Sequence, residues 1–227
     1  MSKPNIALIG LGLIGSSLGH ALKKNGLAAH VSGYARSAET RARALDIGFV
    51  DSVHETAQEA AIDADLVFFN TPLSVIKELA EEIIPGLNDN AILTDVGSVK
   101  AGVLKELTPL LDGRIHFVPG HPIAGTEQSG PDAGFAELFE GRWCILTPDE
   151  NTSLIAVEEV SKLWRGMGSD VTFMDADHHD LVLASRRVVL NSSGKYFAMT
   201  SRATERIAGT TTFSSKFLPR SISSRPS

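Results

Sequence analysis

Apolar residues along the chain fall into two alternating patterns. Short runs with an unbroken apolar interior occur at Asn5–Ile9, at 65–69 and at 91–94. Such runs mark strands covered on both faces, as in a parallel sheet. Between them the spacing turns helical. Leu13, Ser17, Leu18 and Ala21 fall on neighbouring turns, and Lys23-Lys24 followed by Asn25-Gly26 supplies a stop. Residues 31–34 read as a second strand, and Ser37 as the cap of a helix over 39–45. A helix is expected over 73–84, and another from Ser98 or its neighbours to Leu110.

Residues 143–146 (strand), 154–167 (helix) and 171–173 (strand) extend the alternation, and Asp175 reads as the cap of a helix over 176–184. Strands alternating with helices predict an α/β fold, a doubly wound parallel sheet with right-handed crossovers. From Ser185 onward no helical or strand period is sustained. The expected organisation is a dinucleotide-binding domain over 1–174, the start of a helical domain over 175–184, and an atypical tail over 185–227.

Composition supports a globular protein, with 43% hydrophobic and 21% charged residues. A net charge of −6 gives no reason to expect nucleic acid or an anionic membrane as partner. The single cysteine, Cys144, excludes an internal disulfide and fits a reducing compartment. It sits in the apolar run Trp143-Cys144-Ile145-Leu146 and reads as core packing. Lys3 and the apolar run behind it invite comparison with a signal peptide, but Gly10, Gly12 and Gly15 interrupt the run and no cleavage-type site follows. No segment approaches the ~20 apolar residues of a membrane span, so a cytoplasmic location is expected. Charge is uneven, however. Residues 185–227 hold eight Lys/Arg and one acid, against 13 and 26 before them. That break suggests a shifted reading frame or a divergent, disordered terminus.

The chemistry concentrates at strand ends. Gly10-Leu11-Gly12-Leu13-Ile14-Gly15 follows a strand and opens a helix, the setting of the dinucleotide fingerprint in Rossmann-type domains. The first glycine permits the tight turn, the second admits the pyrophosphate, and the third packs helix on strand. The helix N-terminus then offers free N–H groups to phosphates. At the end of the second strand the chain reads Tyr34-Ala35-Arg36-Ser37, without the carboxylate that favours NAD. Arg36 and Ser37 would suit the 2′-phosphate of NADP, giving a slight preference for NADP over NAD. Arg36 stacked on adenine would instead be compatible with either. Thr71-Pro72 and Thr94-Asp95-Val96-Gly97-Ser98-Val99-Lys100 end two further strands at the carboxyl edge, where ligands bind in open α/β sheets. Asp95 and Ser98 are equally readable as caps of the next helix. Gly120-His121-Pro122-Ile123-Ala124-Gly125-Thr126-Glu127 places a histidine, the side chain that titrates nearest neutrality, between glycines. The candidate cofactor contacts are Gly10, Gly12, Leu13, Ile14, Gly15, Arg36, Ser37, Thr71, Pro72, Asp95 and Gly97; the candidate catalytic residues are His121 and Ser98.

Together with Asp177-His178-His179-Asp180, these segments resemble the prephenate/arogenate (cyclohexadienyl) dehydrogenase family over about residues 5–184. The resemblance implies NAD(P)-dependent oxidative decarboxylation of a small molecule, prephenate or arogenate, on the route to tyrosine. It implies that the nicotinamide takes a hydride from the carbon bearing the ring hydroxyl, with His121 as base or acceptor for that hydroxyl and Ser98 orienting it. No metal is needed, and His20, His30, His54, His116, His121, His178 and His179 show no ligand-like spacing with cysteine. His178 and His179 read as supporting residues. The family is homodimeric through a helical domain that also supplies an arginine for the substrate carboxylate; the motif for that domain is not recognisable after Ala184. The chain is therefore expected to bind cofactor and to turn over prephenate feebly or not at all. The alternatives are a dinucleotide-binding module without catalysis, or a related β-hydroxyacid dehydrogenase.

Overall fold

The continuous apolar runs become the inner strands of a parallel sheet. In the computed structural model, which describes residues 3–184, β1 (Asn5–Ile9), β2 (His30–Tyr34), β3 (Ser52–His54), β4 (Leu66–Phe69), β5 (Ile92–Asp95) and β6 (His116–Val118) form six strands in the order β3-β2-β1-β4-β5-β6. All five pairings are parallel. The doubly wound, Rossmann-type α/β class is the one expected. Expectations for the tail, 185–227, lie outside the described residues.

Helix ends follow local chemistry in most places. α1 (Leu13–Lys24) starts at Gly12, and Asn25 and the left-handed Gly26 close it. α2 (Ala38–Ile47) is capped by Ser37, whose side chain accepts from the Thr40 amide, and ends at the left-handed Gly48. The short α3 (Ala57–Ala61) carries a capping box between Thr56 and Glu59. α4 (Leu73–Ile83) follows Pro72. α5 (Ala101–Leu107) begins later than its sequence suggests, and neither Asp95 nor Ser98 caps it. Its first amides go to a distant carboxylate: Lys100 N and Ala101 N donate to Asp180 at 2.8 and 3.0 Å. A non-local partner has displaced the local one.

The second half extends the α/β pattern, but in a sheet of its own. β7 (Gly120–Pro122), β8 (Trp143–Leu146) and β9 (Asp170–Phe173) form three strands, β7 antiparallel and β9 parallel to β8. Pro119 explains the break, because it has no N–H to continue the ladder beyond β6. α6 (Leu154–Gly166) packs against both β6 and β9. Its buried Trp164 meets Phe68 and Phe139 edge-on, at centroid separations of 5.9 and 5.2 Å. Asp175 caps α7 (Ala176–Ala184) as expected, accepting from the Asp177 and His178 amides. Among the described residues no helix is long and apolar enough to cross a membrane.

Candidate active site

Strand register aligns the candidate residues. Ile9 pairs with Tyr34 and with Phe69, and Phe69 pairs with Asp95, so four strands end level at one carboxyl edge. Gly10, Ala35, Asn70 and Val96 are the next residues, in that edge's first layer.

The glycine turn divides its tasks. Gly10 has φ +106°, and a Cβ there would lie 2.7 Å from the Asn70 carbonyl oxygen. A Cβ at Gly15 would lie 2.0 Å from the Gly10 carbonyl oxygen, so the helix start sits directly on the turn. Gly12 faces open space and has no side-chain cap. First-turn amides, including those of Leu13 and Ile14, have no acceptor within the helix. Beside them, Asn70 Oδ1 and Thr71 Oγ1 are buried with no hydrogen-bond partner among the described residues. Buried polar atoms are almost always bonded. An open glycine, free amides and two orphaned oxygens fit a dinucleotide.

At the end of β2, Arg36 is exposed and the Ser37 hydroxyl oxygen already accepts from Thr40 N. Sequence reasoning missed Arg41, whose guanidinium folds back to donate to the Ala35 and Arg36 carbonyls at 2.7 and 3.1 Å. Its position one turn into α2 was the available signal. The stretch after the His121 segment was also missed as a neighbour of α1. Phe135 N donates to Ser17 Oγ at 3.2 Å, and a Cβ at Gly134 would collide with Ser16.

Asp95 plays a different part from the one expected. It is buried and paired with the equally buried Lys100. Its Oδ2 accepts from Gly97 N and its Oδ1 from Gly120 N, at 2.8 and 3.2 Å. Lys100 Nζ donates in turn to the Gly120 carbonyl at 2.7 Å. The Asp95 carboxylate is thus committed to its own protein. Burial pushes its pKa up and that of Lys100 down, each charge partly restoring the other.

That pair seats His121. The imidazole is half-buried, with Nδ1 3.0 Å from Nε2 of the fully buried His179. His179 Nδ1 lies 2.8 Å from Asp180 Oδ1, the carboxylate that caps α5. Burial, then His179 and Lys100, lower the His121 pKa to about 3, with Asp180 opposing. Burial also lowers His179, against the pull of Asp180. For Asp180 burial acts upward, but the Lys100 amide, His179 and the Ala101 amide outweigh it and hold the carboxyl low. Ser98 lies exposed between β5 and α5, and among the described residues no hydrogen bond joins it to His121. Cys144 is buried and its thiol is pushed well up, as core packing requires.

Residues 18–173 match the family model described as prephenate dehydrogenase, nucleotide-binding domain. The chain is 44% identical over 182 residues to cyclohexadienyl dehydrogenase of Zymomonas mobilis, covering 79% of this chain and 61% of that enzyme. Prephenate dehydrogenase of Aquifex aeolicus, solved with hydroxyphenyl propionate and NAD+, superposes with a TM-score of 0.75 at 32% identity, covering 81% of this chain and 64% of that one. Synechocystis arogenate dehydrogenase superposes with a TM-score of 0.73 at 31% identity, covering 79% and 63%. The chain thus spans about three fifths of the length of these relatives. On the family match and the shared fold, the chain belongs to the prephenate dehydrogenase family, whose nucleotide-binding domain it carries.

Proposed function

We propose that the protein catalyses NAD(P)-dependent oxidative decarboxylation of prephenate or arogenate in tyrosine biosynthesis. The observation that carries this reading is the seating of His121: the residue before it is held at its N–H by Asp95, at the end of β5, and at its C=O by Lys100, at the start of α5. The cofactor would lie over Gly10, Gly12 and Gly15, against the amides of Leu13 and Ile14 and the polar atoms of Asn70, Thr71 and Gly97, with Pro72 shaping the wall. A bound nicotinamide supplies the hydride acceptor. His121 accepts the proton of the ring hydroxyl as that carbon becomes a carbonyl. Ser98, free on its loop, orients the hydroxyl. Loss of the carboxylate as carbon dioxide then leaves an aromatic phenol. Arg36 and Ser37, now joined by Arg41, favour NADP over NAD. A cytoplasmic setting would keep Cys144 reduced.

One observation favours a second reading, a dinucleotide-binding module without turnover: Leu181, a large apolar side chain on α7, is 56% exposed among the described residues. Steady-state assays of the full chain, with prephenate and arogenate and with each dinucleotide, separate the two. Turnover abolished by His121→Asn supports the enzyme. Tight cofactor binding without turnover supports the module.

A further inference from the structure

Asp180 has three donors around it, Lys100 N, Ala101 N and His179 Nδ1, at 2.8, 3.0 and 2.8 Å. An ionised carboxylate only accepts. The proton between it and His179 therefore sits on Nδ1, and a neutral His179 has its lone pair on Nε2. That lone pair points at His121 Nδ1, 3.0 Å away. Two bare nitrogens cannot share a hydrogen bond, so His121 Nδ1 carries the proton and donates it. What remains on His121 is a bare Nε2.

We infer that His179 and Asp180 form a tautomer-setting relay that holds His121 as the Nδ1–H form and leaves Nε2 as the acceptor. The inference rests on the reading of His121 as the group that meets the substrate hydroxyl. His179 and Asp180 are positioning residues in it: neither needs to touch substrate. A doubly protonated His179 would reverse the polarity of the link. Its burial disfavours that state, as does Lys100 close by. The relay is also anchored. Asp180 is fixed by the first amides of α5, whose Lys100 side chain grips the residue before His121. The loop of contacts closes on itself, so His121 is constrained at its ring Nδ1 and through the backbone of the residue before it.

The test is imidazole nitrogen NMR on the full chain with ¹⁵N-labelled histidine, without ligand, alongside kinetics. In the wild type, His121 should show a protonated Nδ1 and a bare Nε2. In Asp180→Asn the side-chain nitrogen, turned toward His179 at the cost of the bond from Lys100 N, donates to His179 Nδ1, which reverses both tautomers and moves the proton of His121 to Nε2. Turnover should then fall by roughly 100- to 10,000-fold, the usual worth of a positioned base, with dinucleotide affinity unchanged. His179→Phe keeps the cap of α5 and should leave His121 in a mixture of tautomers, so it decides the matter if Asp180→Asn fails to fold. A His121 that remains Nδ1–H in both variants overturns the relay, even if His121→Asn abolishes turnover. Reversed tautomers with unchanged turnover would sustain the relay and refute His121 as acceptor.

Discussion

Asp95 and Lys100 form a buried ion pair that grips the backbone of Gly120 at both ends, Asp95 accepting from its N–H and Lys100 donating to its C=O. Two charges out of water are costly unless each satisfies the other. Here the pair also welds the parallel sheet to the strand that carries His121. Lys100→Met should therefore strand a buried carboxylate and destabilise the fold by about 3–5 kcal/mol. Equilibrium denaturation would read this, and Asp95→Asn in the Lys100→Met background should recover part of it. An unchanged midpoint in the single variant would show that the pair is not buried in solution.

The glycine turn makes a contrast between two identical substitutions. Gly15→Ala places a Cβ against the backbone oxygen of Gly10, where nothing flexible can yield. It should lower the melting temperature, at a cost of about 1–3 kcal/mol for overpacking. Gly12→Ala meets open space and should melt near the wild type. Its methyl group stands where the pyrophosphate would approach, so dinucleotide affinity should fall at least tenfold. Fluorescence titration beside thermal melting distinguishes the two effects.

How much of this was legible beforehand follows from how local each cause is. β1, β4 and the glycine turn are written in consecutive residues, because burial on both faces removes polar positions from the run. β3 and α3, of three and five residues, are too short to show a period. β7 was hidden because a strand of Gly-His-Pro has no strand signal; its partner β8 and the pull of Asp95 make it. Asp95 resembled a ligand contact because a carboxylate at a strand end faces the crevice in many such folds. Only the folded chain shows Lys100 turned inward upon it. His121 and His179 lie 58 positions apart, and no spacing rule links them. Ser98 misled for the opposite reason: its local capping signal was sound, but Asp180, 80 residues from Lys100, took the amides first.

Cofactor choice should be decided at the end of β2. Arg36 is exposed and Arg41 reaches the same strand end, held by the carbonyls of Ala35 and Arg36. Charge-assisted hydrogen bonds of this kind contribute about 1.5–3 kcal/mol each, so Arg36→Ala and Arg41→Ala should each weaken NADP by at least tenfold and spare NAD. Isothermal titration of both dinucleotides checks this. Tighter NAD binding, unaffected by either substitution, would sink the preference for NADP.

Acid should loosen the fold through His121. Its pKa falls from 6.5 to about 3 in the folded chain, because burial, His179 and Lys100 all oppose the cation and Asp180 only partly offsets them. Above pH 6.5 the residue is neutral whether folded or not, and its contribution to stability is complete. Between about 6.5 and 3 the unfolded chain binds a proton that the folded chain refuses, so stability declines as pH falls, with a slope approaching about 1.4 kcal/mol per pH unit from this group. His179, shifted the same way, adds to the trend. Carboxylates titrate in that range too, so the informative quantity is a difference. Denaturation midpoints of wild type and His121→Asn, measured from pH 7.5 to 4, should diverge at high pH and converge on acidification. Parallel curves would mean that His121 takes up its proton in the folded state, and that the histidine pair is open to solvent.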